Sequence, residues 1–301
     1  MTSPSRSRLI VLAILASPFL LFLGLLLFWE AAPLPPPPPM PNPNGYVDLV
    51  KAARMVNGDP VNFRSMNEQQ LAELIATNTE ALQLLRAGMS NQCRIPIRFS
   101  LTYLQDHLND LAGLKRLAEV VAAEGRLAGL QGRPDDAARF FVDGVRLANE
   151  SIRGGVFIDQ LVGIAIETIN AEGLQKIAGQ LDAKSCRVIA AALETLDAQR
   201  QAWDEVVQQE RDWSRQTYGG IKYELDRLLA HKDLDMIQQG VEQKFKKREQ
   251  QTRQLLIALA ARAYRLEKGK PPASVADLVP DYLKAIPQDP FTGTNMVPTS
   301  P

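Results

Sequence analysis

Residues 104–151 read LQDHLNDLAGLKRLAEVVAAEGRLAGLQGRPDDAARFFVDGVRLANES, and this stretch decides the fold. The part up to Leu130 is predicted to form one long helix. Gly132 and Pro134 then interrupt the helix, and proline favours the first turn of a new one, so a second helix should continue to Ser151. The stretch therefore predicts two consecutive helices joined by a tight turn, as in an all-α protein.

On both sides of this stretch, the sequence predicts further helices that are separated by glycine, proline and polar capping residues. Ser65 to Glu68 has capping-box spacing, and Asp182 can cap a long helix. Residues 94–104 alternate between apolar and polar but contain Pro96 and have no second such run to pair with, so they are predicted to be an extended connector. Helices are predicted at 46–56, 66–86, 104–130, 134–151, 157–177, 183–213, 221–229 and 234–267, which makes residues 46–268 a helical bundle or an irregular array of α-hairpins.

The N-terminus predicts a membrane anchor. The 21 apolar residues 9–29 would span about 31 Å as a helix, which matches a bilayer core of about 30 Å. Arg6 and Arg8 precede the run, so residues 1–8 should stay in the cytoplasm and the rest should lie outside, in a single-pass protein of the bacterial inner membrane. The alternative is a cleaved signal peptide, for which residues 30–32 leave a weak cleavage site.

Residues 30–45 form a proline-rich linker, with eight prolines between Pro33 and Pro43. Such a tract adopts a stiff extended helix of about 3.1 Å per residue, so it predicts a spacer of roughly 34 Å. A ligand for a proline-recognition domain is the alternative, but most such domains are intracellular. The spacer should hold the helical domain away from the membrane.

Charge excludes nucleic acid as the expected partner. The chain has 34 Lys plus Arg and 34 Asp plus Glu, so no net field attracts it to a polyanion. A basic cluster, residues 244–248, is flanked by Glu242 and Glu249 and is expected to be a solvated helix face. Contact with anionic lipid or a cell-wall polymer is the alternative.

The sequence offers few groups for catalysis. His107 and His231 have no partner at metal-ligand spacing and are expected on the surface, and no nucleophile, P-loop or dinucleotide motif is present. The carboxylate pairs 135–136 and 233–235 lie at helix starts, where they favour the helix dipole. We therefore expect no catalytic residue, no metal ligand and no cofactor.

Two cysteines allow two arrangements. Cys93 and Cys186 can pair in an oxidising compartment, closing a loop of about 94 residues worth about 4 to 5 kcal/mol. The alternative is two buried free thiols. A domain of this size does not depend on a disulfide to fold.

Part of the stretch quoted above, residues 119–150, resembles one tetratricopeptide unit. Val121 and Ala128 replace its usual tryptophan and tyrosine. The resemblance implies a closely packed helical hairpin, although a solenoid needs about three or more repeats. It rests on small and aromatic residues at matching positions, namely Gly125, Ala128, Gly132, Ala137 and Phe141.

The C-terminal segment, residues 269–301, is pinned by prolines, and Ser274 and Asp277 have capping-box spacing. With the end of the preceding helix (261–268) it resembles the segment after the long helix of type II secretion major pseudopilins. It is similar also to membrane-anchored helical proteins of planctomycete-type bacteria. The match ends at an aspartate-proline-aromatic-x-glycine turn, 289–293. The chain lacks the pseudopilin leader and the acidic calcium-binding end, so no calcium site is expected.

Three functions follow as hypotheses. The first is a non-enzymatic interaction or scaffold protein that presents helical grooves to another envelope protein. The second is a component related to pseudopilus or type II secretion assemblies. The third is an envelope hydrolase with a dispersed carboxylate site, which would require two carboxyl groups about 5 to 10 Å apart in a cleft.

Overall fold

The computed structural model describes residues 39–297, so the predicted anchor at 9–29 and most of the linker lie outside the described residues. Within the described range the chain is all-helical, with ten α-helices, three short 3₁₀ segments and no β-strand, which confirms the all-α class. No helix in this range is long and apolar enough to cross a membrane. The helices are α1 Gly45–Arg54, α2 Glu68–Thr77, α3 Thr79–Met89, α4 Leu101–Leu130, α5 Pro134–Glu150, α6 Phe157–Ile177, α7 Ala183–Ala198, α8 Trp203–Tyr218, α9 Gly220–Leu229 and α10 His231–Lys268.

The central helices begin and end close to the predicted residues. Helix α4 begins at Leu101, three residues earlier than predicted, because the Ser100 side chain accepts a hydrogen bond from the Tyr103 amide and caps the helix. Pro134 occupies the first turn of α5, and Asp182 caps α7 by accepting from the Ser185 amide. Proline and capping signals therefore placed the starts of α5 and α7, whereas the Ser100 cap of α4 was missed.

The predicted helix 66–86 is wrong in two respects. Its cap is Asn67, which forms a reciprocal capping box with Gln70, rather than Ser65. The helix is also divided at Asn78, whose buried side chain bonds the Asn57 amide and carbonyl and the Leu74 carbonyl. Because asparagine satisfies backbone groups outside the helix, it ends α2 and starts α3 at the same residue.

The predicted helix 183–213 is also divided, between Ala198 and Trp203. Arg200 lies in this break and turns its guanidinium into the core, where it pairs with Glu167. Trp203 opens α8 and stacks between Phe157, with ring centroids 5.5 Å apart, and Phe245, at 5.4 Å. The ion pair of the buried Arg200 guanidinium and the aromatic contacts of Trp203 outweigh the continuous helical spacing of the sequence.

Two apolar clusters form the core on either side of the α4, α5 and α6 helices. The first joins those helices to α1 and α3, and Leu49, Leu85 and Leu114 are fully buried in it. The second joins them to α7, α10 and the C-terminal segment around Leu193 and Leu278. The helices of the stretch 104–151 thus contribute to both apolar clusters.

The C-terminal segment folds back on α7 and α10. Asp277 accepts hydrogen bonds from the Ala273 and Ser274 amides, and Tyr282 donates a hydrogen bond of 2.6 Å to Glu267 of α10. Asp289 accepts hydrogen bonds from the Phe291 amide at 2.8 Å and from the Gln250 amide group, which fixes the aspartate-proline turn against α10. These polar contacts hold the C-terminal segment against α10.

Candidate functional site

A groove over Phe141 lies where α4, α5 and α6 meet. We call it the Phe141 groove, and its cavity volume is about 220 Å³. Phe141 of α5 forms its floor together with Ile169 and Ile177 of α6, and Phe63 of the first 3₁₀ segment closes one side. Its lining residues are Phe63, Arg64, Gly125, Arg126, Gly129, Leu130, Phe141, Ile169, Glu172, Gly173, Lys176, Ile177 and Gln180.

Two glycines shape the floor. A Cβ atom on Gly125 of α4 would lie 2.7 Å from the Phe141 ring, and a Cβ atom on Gly173 of α6 would lie closer still. Real Cβ atoms do not approach other atoms so closely, so the phenyl ring occupies the space that two side chains would otherwise fill. The two glycines and the aromatic residue form a matched set that brings α4 and α6 onto α5.

Cations surround the apolar floor. Arg64 pairs with Glu172 through an Nη2 to Oε2 distance of 3.1 Å. Lys176 is exposed on α6, and Arg126 on α4 has a buried Nε with no hydrogen-bond partner among the described residues. The groove therefore combines an apolar floor with an excess of positive charge, which suits an apolar side chain next to a carboxylate.

His107 is buried, so the prediction of a surface histidine is wrong for this residue. Its Nε2 lies 2.5 Å from Oδ1 of Asp159, and its Nδ1 lies 3.4 Å from the Tyr103 hydroxyl. Asp159 is fully buried and its other oxygen accepts from the Val156 amide. The contact ties the start of α4 to the start of α6, while His231 is exposed as predicted.

A second buried polar cluster centres on Glu167 of α6. Its carboxylate pairs with Arg200 and with Arg248, whose Nε lies 2.6 Å from Oε2, and it accepts a hydrogen bond from Thr252. Burial alone would raise the pKa of Glu167, but the two guanidinium groups and the hydroxyl hold it at about 2. Residues 244–248 were predicted to form a solvated helix face. This prediction is wrong for Arg248, which is buried, whereas Lys244 and Lys247 are exposed.

The structure also brings two carboxylates together around Arg86 of α3. Its Nη2 lies 2.7 Å from Glu124 of α4 and its Nε lies 3.7 Å from Asp143 of α5. Burial raises the pKa of both carboxyl groups despite the nearby arginine. Because Arg86 stands between the two acids, this arrangement is an ion-pair network that joins three helices.

The predicted carboxylate pairs are not assembled into a site. Asp136 pairs with Arg133 and Arg139 at the start of α5, and Asp233 and Asp235 are exposed in the first turns of α10. Among the described residues, no group of three or more His, Cys, Asp or Glu side chains is arranged to hold a metal ion.

Both cysteines are free and buried in the structure. Cys93 belongs to the cluster around α1 and α3, and Cys186 belongs to the cluster around α7 and α10. Burial raises the pKa of the Cys93 thiol to about 12 and also raises that of Cys186. Two inert thiols are the arrangement that the structure shows.

A larger opening of about 530 Å³ lies beside Cys93, under Pro39 and Pro41. Two of the three arginines that line it donate to the chain, since Arg146 bonds the Met89 carbonyl at the end of α3 and Arg153 bonds Glu150. The third is Arg94. These contacts neutralise helix C-termini and one carboxylate. The opening and the Phe141 groove each have three cations and one carboxylate in their lining, but none of the described residues that line the opening is aromatic.

Comparison of the chain with protein-family models, with curated proteins and with solved structures finds no significant match in any of the three. The argument for function therefore rests on the residues and their geometry. The sequence singled out Gly125 and Phe141 through the tetratricopeptide resemblance, but it gave no signal for Gly173, Arg126 or Lys176. Gly173 and Lys176 reach the groove because α6 packs against α4 and α5, and Arg126 lies next to Gly125 on α4.

Proposed function

We propose that this protein is a membrane-anchored interaction protein of the bacterial envelope, and that its Phe141 groove binds a segment of another envelope protein. The segment carries one large apolar side chain, which enters the groove, and acidic residues next to it, which face Lys176 and Arg126. The predicted anchor at 9–29 and the proline-rich linker support an extracytoplasmic location for the helical domain.

The observation that carries the proposal is the combination of an apolar floor with positive charge at its edge. Burying one large aliphatic or aromatic side chain contributes about 1.5 to 3 kcal/mol, which anchors a peptide but gives it no direction. The cations add direction, because they attract carboxylates on one side of the inserted residue. A cavity of about 220 Å³ is too small for a drug-sized ligand and matches one inserted side chain.

Peptide selection against the full-length chain in lipid nanodiscs tests the proposal. Random heptapeptides displayed on phage should yield sequences in which an apolar residue is flanked by Asp or Glu. Synthetic copies should bind more weakly at high salt, because exposed charges are screened. Selected peptides without acidic enrichment would contradict the proposal.

Charge variants give the matched comparison. Lys176→Glu combined with Arg126→Gln should weaken binding of the selected peptides by at least about tenfold, or 1.4 kcal/mol. Lys184→Glu on α7 combined with Lys247→Gln on α10 changes the net charge equally on exposed residues outside the groove. Equal affinity of the two double variants would mean that the groove is not the binding site.

A further inference from the structure

The distal end of the helical domain carries a large exposed apolar surface. We call residues 220–240 the tip, which comprises α9 and the first ten residues of α10. Gly219 joins α9 to α8 and Ala230 alone joins it to α10, and α9 packs mainly against these two helices. Six large apolar side chains are exposed there: Leu225, Leu228, Leu229, Leu234, Met236 and Ile237.

The exposed apolar side chains of the tip are concentrated, because all six lie within residues 225–237. Leu228 is 72% exposed and Leu229 is 74% exposed, and their neighbours on the tip are all more than two fifths exposed. Single exposed apolar residues are normal, but monomeric proteins rarely expose a contiguous apolar patch larger than a few hundred Å². The tip therefore has the composition of a surface that is covered by something else.

The apolar stripe of α10 continues from the core onto the tip. Leu234, Ile237, Val241 and Phe245 follow one another at spacings of three and four, so they share a helix face. Val241 and Phe245 are buried against the domain, whereas Leu234 and Ile237 on the same face are exposed. The stripe extends beyond the domain's own core, as expected when a second molecule completes it.

The charges of the tip identify the occupant. It has three Lys and Arg residues and four Asp and Glu residues, interspersed along both helices. Helices that lie on anionic membranes carry an excess of Lys and Arg, so this composition is unsuited to a lipid surface. A nearly neutral mixture of both signs suits an isologous contact, in which the same surface meets itself and each base can face an acid.

We propose that the tip is a homodimer interface, in which the exposed leucines of α9 and α10 pack against the same leucines of a second copy. A standard interface uses about 20 to 30 residues and about 800 Å² on each side. The tip has 21 residues, six of them large exposed apolar side chains, so a contact made by the tip alone lies at the small end of this size class. This surface is separate from the Phe141 groove, so the two proposals stand or fall independently.

Sedimentation velocity of the full-length chain in density-matched detergent tests the interface. The wild-type chain should sediment as a dimer at about 50 µM, and Leu228→Asp combined with Leu229→Asp should weaken dimerisation by more than about 100-fold. The matched control combines Val47→Asp with Val188→Asp, two side chains exposed on α1 and α7, and should remain dimeric. A monomeric wild-type chain, or a Leu228→Asp/Leu229→Asp dimer as tight as the wild type, overturns the proposal.

Disulfide trapping in native membranes gives a readout that does not depend on the folding of the aspartate variants. Leu228→Cys should form a covalent homodimer under oxidation, because the two copies meet at this residue, whereas Val188→Cys should not. The native thiols are buried and leave the background low. No more homodimer from Leu228→Cys than from Val188→Cys, or crosslinking of Leu228→Cys to a different protein, overturns the proposal.

Discussion

Gly173→Ala should destabilise the protein, although alanine is the better helix former. Phe141 lies between Gly125 and Gly173, and a Cβ atom added on either side would overlap the ring. The ring cannot retreat from one glycine without approaching the other, because a Cβ at Gly125 would itself lie 2.7 Å away. The substitution therefore forces α5 and α6 apart or moves the ring out of the floor of the groove.

The magnitude follows from two opposing effects. Overpacking a well-packed core costs about 1 to 3 kcal/mol, whereas glycine to alanine inside a helix gains up to about 1 kcal/mol. With a gain of about 1 kcal/mol, the net loss should be up to about 2 kcal/mol, which lowers the melting temperature of a domain of this size by up to roughly 8 °C. Gly240→Ala on α10 is the control, because nothing lies within 4 Å of its added Cβ, and it should be stabilising.

Thermal and urea unfolding of the full-length chain, followed by far-UV circular dichroism, measures both substitutions. Combining Gly173→Ala with Phe141→Ala should remove the clash, so in that background Gly173→Ala should stabilise the protein about as much as Gly240→Ala does. If Gly173→Ala raises the stability of the wild-type chain as Gly240→Ala does, the proposed packing of Phe141 is wrong.

Three further predictions concern buried polar groups. Glu167→Gln should cost about 3 to 5 kcal/mol, because it leaves buried arginines without their carboxylate. The pKa of Glu167 is lowered to about 2 in the folded chain, so the ionised carboxylate should stabilise the fold fully above about pH 4.3. This contribution should be lost as the pH falls toward 2. The corresponding fall of the melting temperature with pH should be missing in Glu167→Gln. His107→Ala should cost about 1 to 3 kcal/mol in urea unfolding by stranding the Asp159 carboxylate, and an unchanged midpoint would mean that this contact contributes little. Cys93 and Cys186 should resist iodoacetamide in the native chain and react fully after denaturation without reductant; a mass two hydrogens lower would show that they are paired.

Local signals in the sequence were sufficient for most helix starts and for the fold class. Pro134 and Asp182 act within one turn of their own helix, so their effect is visible in the residues around them. The predicted start of α4 was wrong by three residues, because the Ser100 side chain caps the helix by accepting a hydrogen bond from the Tyr103 amide. Such errors at helix ends reflect short-range competition between capping residues.

The breaks inside helices and the groove required tertiary contacts. Asn78 divides a helix because it bonds Asn57, which lies 21 residues away. Arg200 divides another because Glu167 draws its side chain into the core, 33 residues from it in the chain. Lys176 resembles any exposed helix lysine until α6 is packed beside Phe141. Residue spacing alone carries no information about such partners.

Photocrosslinking in intact cells tests the central claim, that the Phe141 groove binds another envelope protein, most directly. A photoreactive amino acid at Gln180, in the groove, should crosslink to an envelope protein through a segment with an apolar residue next to Asp or Glu. The same amino acid at Val188, exposed outside the groove, should give no such product, and Lys176→Glu should abolish the product from Gln180. Identical products from both sites, or a product that Lys176→Glu leaves unchanged, would contradict the claim.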